Sequence, residues 1–144
     1  MIKFAVTTVI NRSVDEVFAF MTDVRNEPKW IPGVLEAEQT SEGPVGVGTT
    51  YYELVELLGQ QVELTFEVTE YEANRKFSAR STVGLFDGSV MNTFEAVAGG
   101  TQITLVTEGE PTGIFKMFES LIARWVQEQA EGAFANAKRM LEAG

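Results

Sequence analysis

Residues 34 to 110 are dominated by short β-type segments that turn sequences separate at regular intervals, and this pattern limits the available folds more than any other feature. In the clearest segment the apolar residues occupy every second position: Val62, Leu64, Phe66 and Val68. A period of two indicates a strand with one buried face and one face in water. Turns at such short intervals predict an antiparallel meander.

The turn signals in this region are short and contain Gly, Asn or Asp. They are Leu58-Gly59-Gln60, Ala73-Asn74, Asp87-Gly88 and Gly99-Gly100. They predict strands on either side, among them 49–57, 76–82, 89–97 and 101–108. The β-branched and aromatic residues at 2–10 predict a first strand, and the whole chain then contains seven.

Two short helices are expected directly after the first strand. Ser13 and Glu16 have the spacing of a capping box, in which each side chain satisfies the backbone amide of the other residue, so a helix is predicted at 14–21. Asp23 is expected to cap a second brief turn that ends near Trp30, and Pro28 keeps it short.

The C-terminal segment predicts one long amphipathic helix over about 114–142. Its apolar residues form one broad stripe: Ile114, Phe118, Leu121, Ile122, Trp125, Val126, Ala133, Ala137, Met140 and Leu141. Gln129 and Asn136 lie on the same stripe, and Gly132 suggests a close approach to the sheet. At 1.5 Å per residue such a helix is about 43 Å long.

These elements predict an α+β helix-grip fold in one domain, 1–144. A curved antiparallel sheet of seven strands surrounds the long helix, because both must bury an apolar face. Seven strands span roughly 30 Å, whereas a helix is about 10 Å wide. The helix alone does not fill the concave side, so the remaining volume is either packed by aromatic residues or left as a cavity.

Several motifs, in this order, are similar to those of the SRPBCC superfamily of polyketide cyclases, START lipid-transfer proteins and plant pathogenesis-related proteins. The motifs are Val17 to Asp23 before Pro28 to Gly33, Gly46-Val47-Gly48-Thr49, Val68-Thr69-Glu70-Tyr71, Gly99-Gly100-Thr101 and Gly113-Ile114-Phe115. The resemblance covers essentially the whole chain. It implies a START-like fold that binds a small hydrophobic molecule, such as a lipid, polyketide, isoprenoid or aromatic metabolite.

The composition excludes several classes of function. A net charge of −10 repels nucleic acid and anionic membranes. The chain contains neither Cys nor His, which excludes thiolate nucleophiles, the usual zinc sites and histidine bases. We therefore expect no metal and no cofactor. No apolar stretch is long enough for membrane insertion, and a cytoplasmic monomer or homodimer without a signal peptide is expected.

Ten residues are predicted to contact the ligand. Eight are large and apolar or aromatic, and two are polar residues on apolar faces: Trp30, Tyr51, Phe66, Phe77, Phe86, Phe94, Leu121, Trp125, Asn92 and Gln129. The alternative for the aromatic residues is ordinary core packing. The alternative for the two amides is a hydrogen bond within the protein, because a buried amide without a partner costs roughly 1–3 kcal/mol.

Glu53 is the candidate catalytic residue, and its orientation depends on one turn. A two-residue turn after Leu57 places Glu53 on the same face as Leu64, so that burial raises its pKa and suits it to acid–base chemistry. A three-residue turn points Glu56 inward instead. Arg80 is a further polar candidate, but its parity in the strand directs it outward.

Three functions are compatible with the sequence. The first is a binding or carrier module for a small hydrophobic molecule. The second is a polyketide cyclase or dehydratase that uses Glu53, Tyr51 or Arg80 for proton transfer and enolate stabilisation. The third is an interaction module with an exposed apolar patch at Phe115, Met117 and Phe118, residues that are otherwise placed to gate the pocket.

Overall fold

Seven strands and three α-helices make up the fold in the computed structural model, which describes residues 1–83 and 86–144. The strands are β1 (Ile2–Ile10), β2 (Val34–Gln39), β3 (Thr50–Leu57), β4 (Gln60–Glu72), β5 (Lys76–Val83), β6 (Phe86–Val97) and β7 (Gly100–Pro111). The helices are α1 (Val14–Thr22), α2 (Glu27–Trp30) and α3 (Glu119–Ala143), with 3₁₀ turns at Val24–Asn26 and Gly113–Phe118.

The strands form one antiparallel sheet in the order β1-β7-β6-β5-β4-β3-β2. Consecutive strands from β2 to β7 are neighbours, as the meander predicted, and β1 joins the far edge by pairing with β7. Register shifts within the β2–β3 and β4–β5 pairs are bulges, which increase the local bend of a strand. The predicted α+β helix-grip fold, with a long C-terminal helix and two short helices after β1, is confirmed.

The hairpin between β3 and β4 has a two-residue turn. Leu57 pairs with Gln60, and the turn residues Leu58 and Gly59 have φ values of 51° and 80°. Positive φ at both positions is typical of the type I′ turn, whose twist matches that of the strands it joins. The same register pairs Glu53 with Leu64, so the structure decides the alternative that the sequence left open and places Glu53 on the inner side. Glu56 is exposed.

Two local predictions for the α1 and α2 region have different outcomes. The capping box at Ser13 is wrong, because the Ser13 hydroxyl donates to Glu16 Oε1 at 2.9 Å and caps no backbone amide. The side chains therefore satisfy each other and not the helix end. Asp23 does cap the following turn, where its Oδ1 accepts from the Arg25 backbone amide at 3.1 Å.

The predicted turn at Asp87-Gly88 is also wrong, because both residues lie inside β6. They pair with Glu110 and Gly109 of β7, and Gly88 also pairs with Ser81 of β5. A Cβ on Gly88 would lie 2.2 Å from the Glu108 carbonyl oxygen. The glycine thus allows β6 and β7 to lie close together. Strand pairing on both sides of Gly88 outweighs the local turn preference of the Asp-Gly dipeptide.

The long helix begins later than predicted. Residues 113–118 form the 3₁₀ turn, and α3 starts at Glu119. The N-terminal part of the predicted stripe is therefore not buried: Ile114 is 73% exposed and Leu121 is 50% exposed. Gly132 makes a close approach, but to the Pro32 ring and not to the sheet, because a Cβ there would lie 3.1 Å from Pro32 Cγ.

Candidate functional site

The concave side of the sheet and the helices enclose a cavity of about 160 Å³. Its sheet wall is formed by side chains of β3 to β7, and its opposite wall by α1, α2 and α3. Apolar cavities of about 150 Å³ accept molecules of the size of benzene. The space that the width of the sheet predicted is therefore present, and it suits a compact ligand.

Nine of the ten predicted ligand-contact residues line this cavity. They are Trp30, Tyr51, Phe66, Phe77, Phe86, Asn92, Phe94, Trp125 and Gln129. Leu121 is outside the lining and half-exposed, which corrects its predicted place. It lies in the first turn of α3, ahead of the lining residues Trp125 and Val126. The contact of the nine lining residues with a ligand remains a prediction.

Aromatic packing shapes the cavity wall. Tyr51 and Phe66 are cross-strand partners whose rings stack, with centroids 5.2 Å apart and planes at 15°. Phe94 makes an edge-to-face contact with Phe18 of α1, with a centroid distance of 5.0 Å. Such contacts fix ring positions, so the cavity has a defined shape and is not a loosely packed region.

The two amides predicted to orient a ligand differ in their contacts. Gln129 Nε2 donates to the Pro32 carbonyl at 2.9 Å, so one of its groups is used within the protein. Asn136, about two helical turns further along α3, donates to the Trp30 carbonyl at 3.1 Å. These bonds hold the end of α2 and the loop after it against α3. Asn92 lines the cavity on β6, as its parity with Phe94 predicted.

Glu53 faces the cavity, and Glu27 at the start of α2 lies beside it. Burial, then the charge of Glu53, and then a hydrogen bond with Glu53 hold the pKa of Glu27 well above its ordinary value. Burial also raises the pKa of Glu53, while the Glu27 hydrogen bond opposes that rise. The two carboxyl groups are therefore coupled, and the pair takes up a proton more readily than two separate surface carboxylates would.

Tyr51 completes this polar group. Burial, followed by the charges of Glu27 and Glu53, holds the pKa of Tyr51 well above 10.0, so its phenol stays neutral. Tyr51 and Glu53 were predicted from the sequence, but Glu27 was missed. One signal was available: Val24, Glu27 and Trp30 follow one another at intervals of three, and all three are buried.

Three lining residues contain buried polar atoms without a hydrogen-bond partner among the residues that the structure describes. They are Glu27 Oε1, Trp30 Nε1 and Ser81 Oγ. A buried polar atom left unpaired costs roughly 1–3 kcal/mol. Polar ligand groups or ordered water would satisfy these atoms. The lining thus combines a mainly apolar surface with a few polar atoms that can form hydrogen bonds.

Arg80 does not belong to this site. It is exposed on the outer face of β5, and its Nη2 lies 3.1 Å from Asp87 Oδ1. Its predicted outward parity is confirmed. Within 1–83 and 86–144, no group of three or more Asp and Glu side chains is placed to hold a metal ion. None of the helices in these ranges has the length and apolar character required to cross a bilayer.

Several solved structures share this fold. A protein of Thermus thermophilus superposes with a TM-score of 0.83 at 19% identity, with 98% of this chain and 97% of that chain covered. A START superfamily protein of Mycobacterium smegmatis gives 0.80 at 16% identity, with coverage of 99% and 96%. The di-domain ARO/CYC StfQ from the steffimycin biosynthetic pathway gives 0.76 at 12%, with coverage of 96% and 49%.

These identities are low, so the superpositions establish the fold alone. No curated protein matches the sequence at a significant level. The family model described as polyketide cyclase / dehydrase and lipid transport, however, matches residues 1–142. The chain therefore belongs to the polyketide cyclase/dehydrase and lipid transport family.

Proposed function

We propose that the chain, acting as one ligand-binding domain, binds a compact hydrophobic molecule in the cavity between the sheet and α3. The observation that carries this proposal is the cavity of about 160 Å³ among packed aromatic rings. Removal of apolar surface from water contributes about 2.5 kcal/mol per 100 Å² of buried ligand before the costs of association. A ligand of one or two rings has the size and the apolar surface that suit this cavity.

Polar atoms in the wall would orient this ligand. Asn92 offers an amide on the sheet side, and Trp30 Nε1 is a buried donor without a partner in the described part of the chain. Sites of this kind combine a mainly apolar lining with a few fixed polar groups. A ligand with a ring system and one or two polar substituents is consequently favoured over a plain hydrocarbon.

Binding of neutral aromatic probes tests the proposal. In a thermal-shift titration, we expect 2-phenylethanol or 2-naphthol to raise the melting temperature by several degrees, because a ligand at 100 times its Kd adds about 2.7 kcal/mol. Native mass spectrometry of freshly purified protein should show a co-purified ligand or the added probe at a one-to-one ratio. No stabilisation by any probe of this size would contradict the proposal.

A second candidate function, catalysis of proton transfer in a cyclase or dehydratase reaction, is favoured by one observation. Glu27 and Glu53 lie together in the cavity lining with raised pKa values, which would provide an acid and a base in adjacent positions. A carboxylate in a desolvated site can remove a proton from the carbon next to a ketone, and a neighbouring acid or phenol can stabilise the enolate.

This second candidate has a direct test with an enolisable ketone of suitable size. If it is correct, the protein accelerates deuterium exchange at the α-carbons of 2-tetralone, followed by NMR in heavy water. Glu53→Gln should lower that acceleration at least about tenfold, whereas the exposed Glu56→Gln on the same strand should not. Equal exchange with and without protein would rule out this chemistry for that substrate class.

A further inference from the structure

The ionisable side chains in the cavity are all acidic or neutral. Among the described lining residues these groups are Glu27, Glu53 and Tyr51, and the lining contains neither Lys nor Arg. Histidine is absent from the sequence. The site therefore has a carboxyl pair without a cationic partner, although buried carboxylates are normally paired with one.

The two carboxyl groups lie side by side in this lining. Burial raises the pKa of Glu27 well above its ordinary value and also raises the pKa of Glu53, and burial, followed by the charges of the two carboxyl groups, raises the pKa of the Tyr51 phenol. The Arg and Lys side chains seen in ion pairs elsewhere contact surface carboxylates, as Arg80 does with Asp87 and Lys76 with Glu70. None of the described lining residues supplies the positive charge that would let these carboxyl groups ionise, and a cationic ligand would supply it.

Two further atoms in the lining lack partners and point to the same kind of ligand. Glu27 Oε1 and Ser81 Oγ are both able to accept a hydrogen bond, and neither has a partner within the described ranges. Ser81 is 1% exposed and lies on β5 opposite Phe66, so it is independent of the carboxyl pair. These two acceptors favour N–H donors on the ligand, whereas the third unpaired atom of the lining, Trp30 Nε1, is a donor that such a group does not satisfy.

The surrounding rings also favour a cation. Tyr51 and Phe66 stack beside Glu53, and Trp30 lies in the same wall as Glu27. An ammonium group near the face of an aromatic ring gains about 0.5–2 kcal/mol, with the larger value for desolvated sites. The net charge of −10 adds a long-range attraction for cations.

We propose that the ligand of this cavity is a compact aromatic or alicyclic amine, bound as its ammonium ion on the Glu27–Glu53 pair. This inference rests on the proposed ligand-binding function and narrows it to one chemical class. It also predicts discrimination: an anionic ligand of the same shape would place a second negative charge beside the carboxylate and be rejected.

Three probes of matched size distinguish a cationic ligand from a neutral or an anionic one. They are 2-phenylethylamine, 2-phenylethanol and phenylacetate, titrated by calorimetry at pH 7. We expect the ammonium probe to bind about tenfold more tightly than the alcohol, and the alcohol about tenfold more tightly than the anion. Glu53→Gln should remove the preference for the amine over the alcohol, and Glu56→Gln should retain it. Glu53→Ala, which removes the same carboxyl group, serves as a second variant if Glu53→Gln does not fold.

The outcomes distinguish this inference from the function on which it rests. Equal or weaker binding of the amine relative to the alcohol would overturn the amine assignment and leave the binding proposal intact. Absence of binding for all three probes, and for 2-naphthol, would overturn both. A preference for the amine that persists after the Glu53 carboxyl group is removed would also overturn the assignment, because another group would then have to bind the ammonium ion.

Discussion

Replacement of Val90 by Trp is expected to lower the affinity for a neutral aromatic ligand by about 100-fold, equivalent to about 2.8 kcal/mol. Val90 is half-buried, lies in the middle of β6 and lines the cavity between Gly88 and Asn92. An indole at this position projects into the vacant space that the ligand is proposed to occupy. Isothermal titration with 2-naphthol measures the loss directly.

Met91→Trp is the matched control for this variant. Met91 is the next residue on β6, so its side chain leaves the opposite face of the sheet, and it is absent from the cavity lining. Both changes introduce the same bulk into the same strand, which separates occlusion of the cavity from a general effect on the sheet. Comparable affinity loss in the two variants, or no loss in Val90→Trp, would show that the ligand does not use this cavity.

The inner face of the sheet could be predicted from the sequence because the period of two in β4 identifies which of its residues are buried. The register that places Glu53 opposite Leu64 could not be predicted, because it depends on whether the turn after Leu57 contains two or three residues. Within β4, parity assigned Phe66 to the inner face. Strand patterns carry this information because each residue can face only one of two sides.

The helical parts of the site could be predicted less well. Helix α2 contains only four residues, so the interval of three that joins Val24, Glu27 and Trp30 is too short a pattern to single out Glu27 in a periodicity argument. Leu121 was instead included wrongly. The spacing of residues on a helix shows which of them share a face, but it does not show where that face extends beyond the sheet. Asp87-Gly88 was misassigned because a local turn preference was outweighed by strand pairing on both sides.

The carboxyl pair predicts an unusual dependence of stability on pH. The folded-state pKa of Glu27 is raised well above 4.5, the ordinary value that it regains on unfolding. As the pH rises above that value, the unfolded chain ionises while the folded chain retains its proton, so the free energy of unfolding falls until the raised pKa is passed. Burial also raises the pKa of Glu53, so Glu53 adds to this loss of stability. The Glu27 hydrogen bond opposes the rise and makes that contribution smaller.

Glu27→Gln should therefore stabilise the protein at pH 8 by about 2 kcal/mol, near the cost of an uncompensated buried polar group. The Gln amide retains a donor for the Glu53 carboxylate but has no proton to lose, so the gain over wild type should shrink towards zero near pH 4. Urea unfolding of both proteins across this range measures the difference, which cancels the contributions of surface acids with lowered pKa values such as Asp23 and Glu142.

Glu56→Gln provides the reference for this comparison. Its side chain is exposed on the same strand as Glu53, so the same chemical change should alter stability by no more than about 0.5 kcal/mol at any pH. If the free energies of unfolding of Glu27→Gln and wild type differed by a constant amount from pH 4 to pH 8, Glu27 would have the same pKa in the folded and unfolded states. In that case burial would not raise the pKa of Glu27, and both the acid–base candidate and the amine assignment would lose their physical basis.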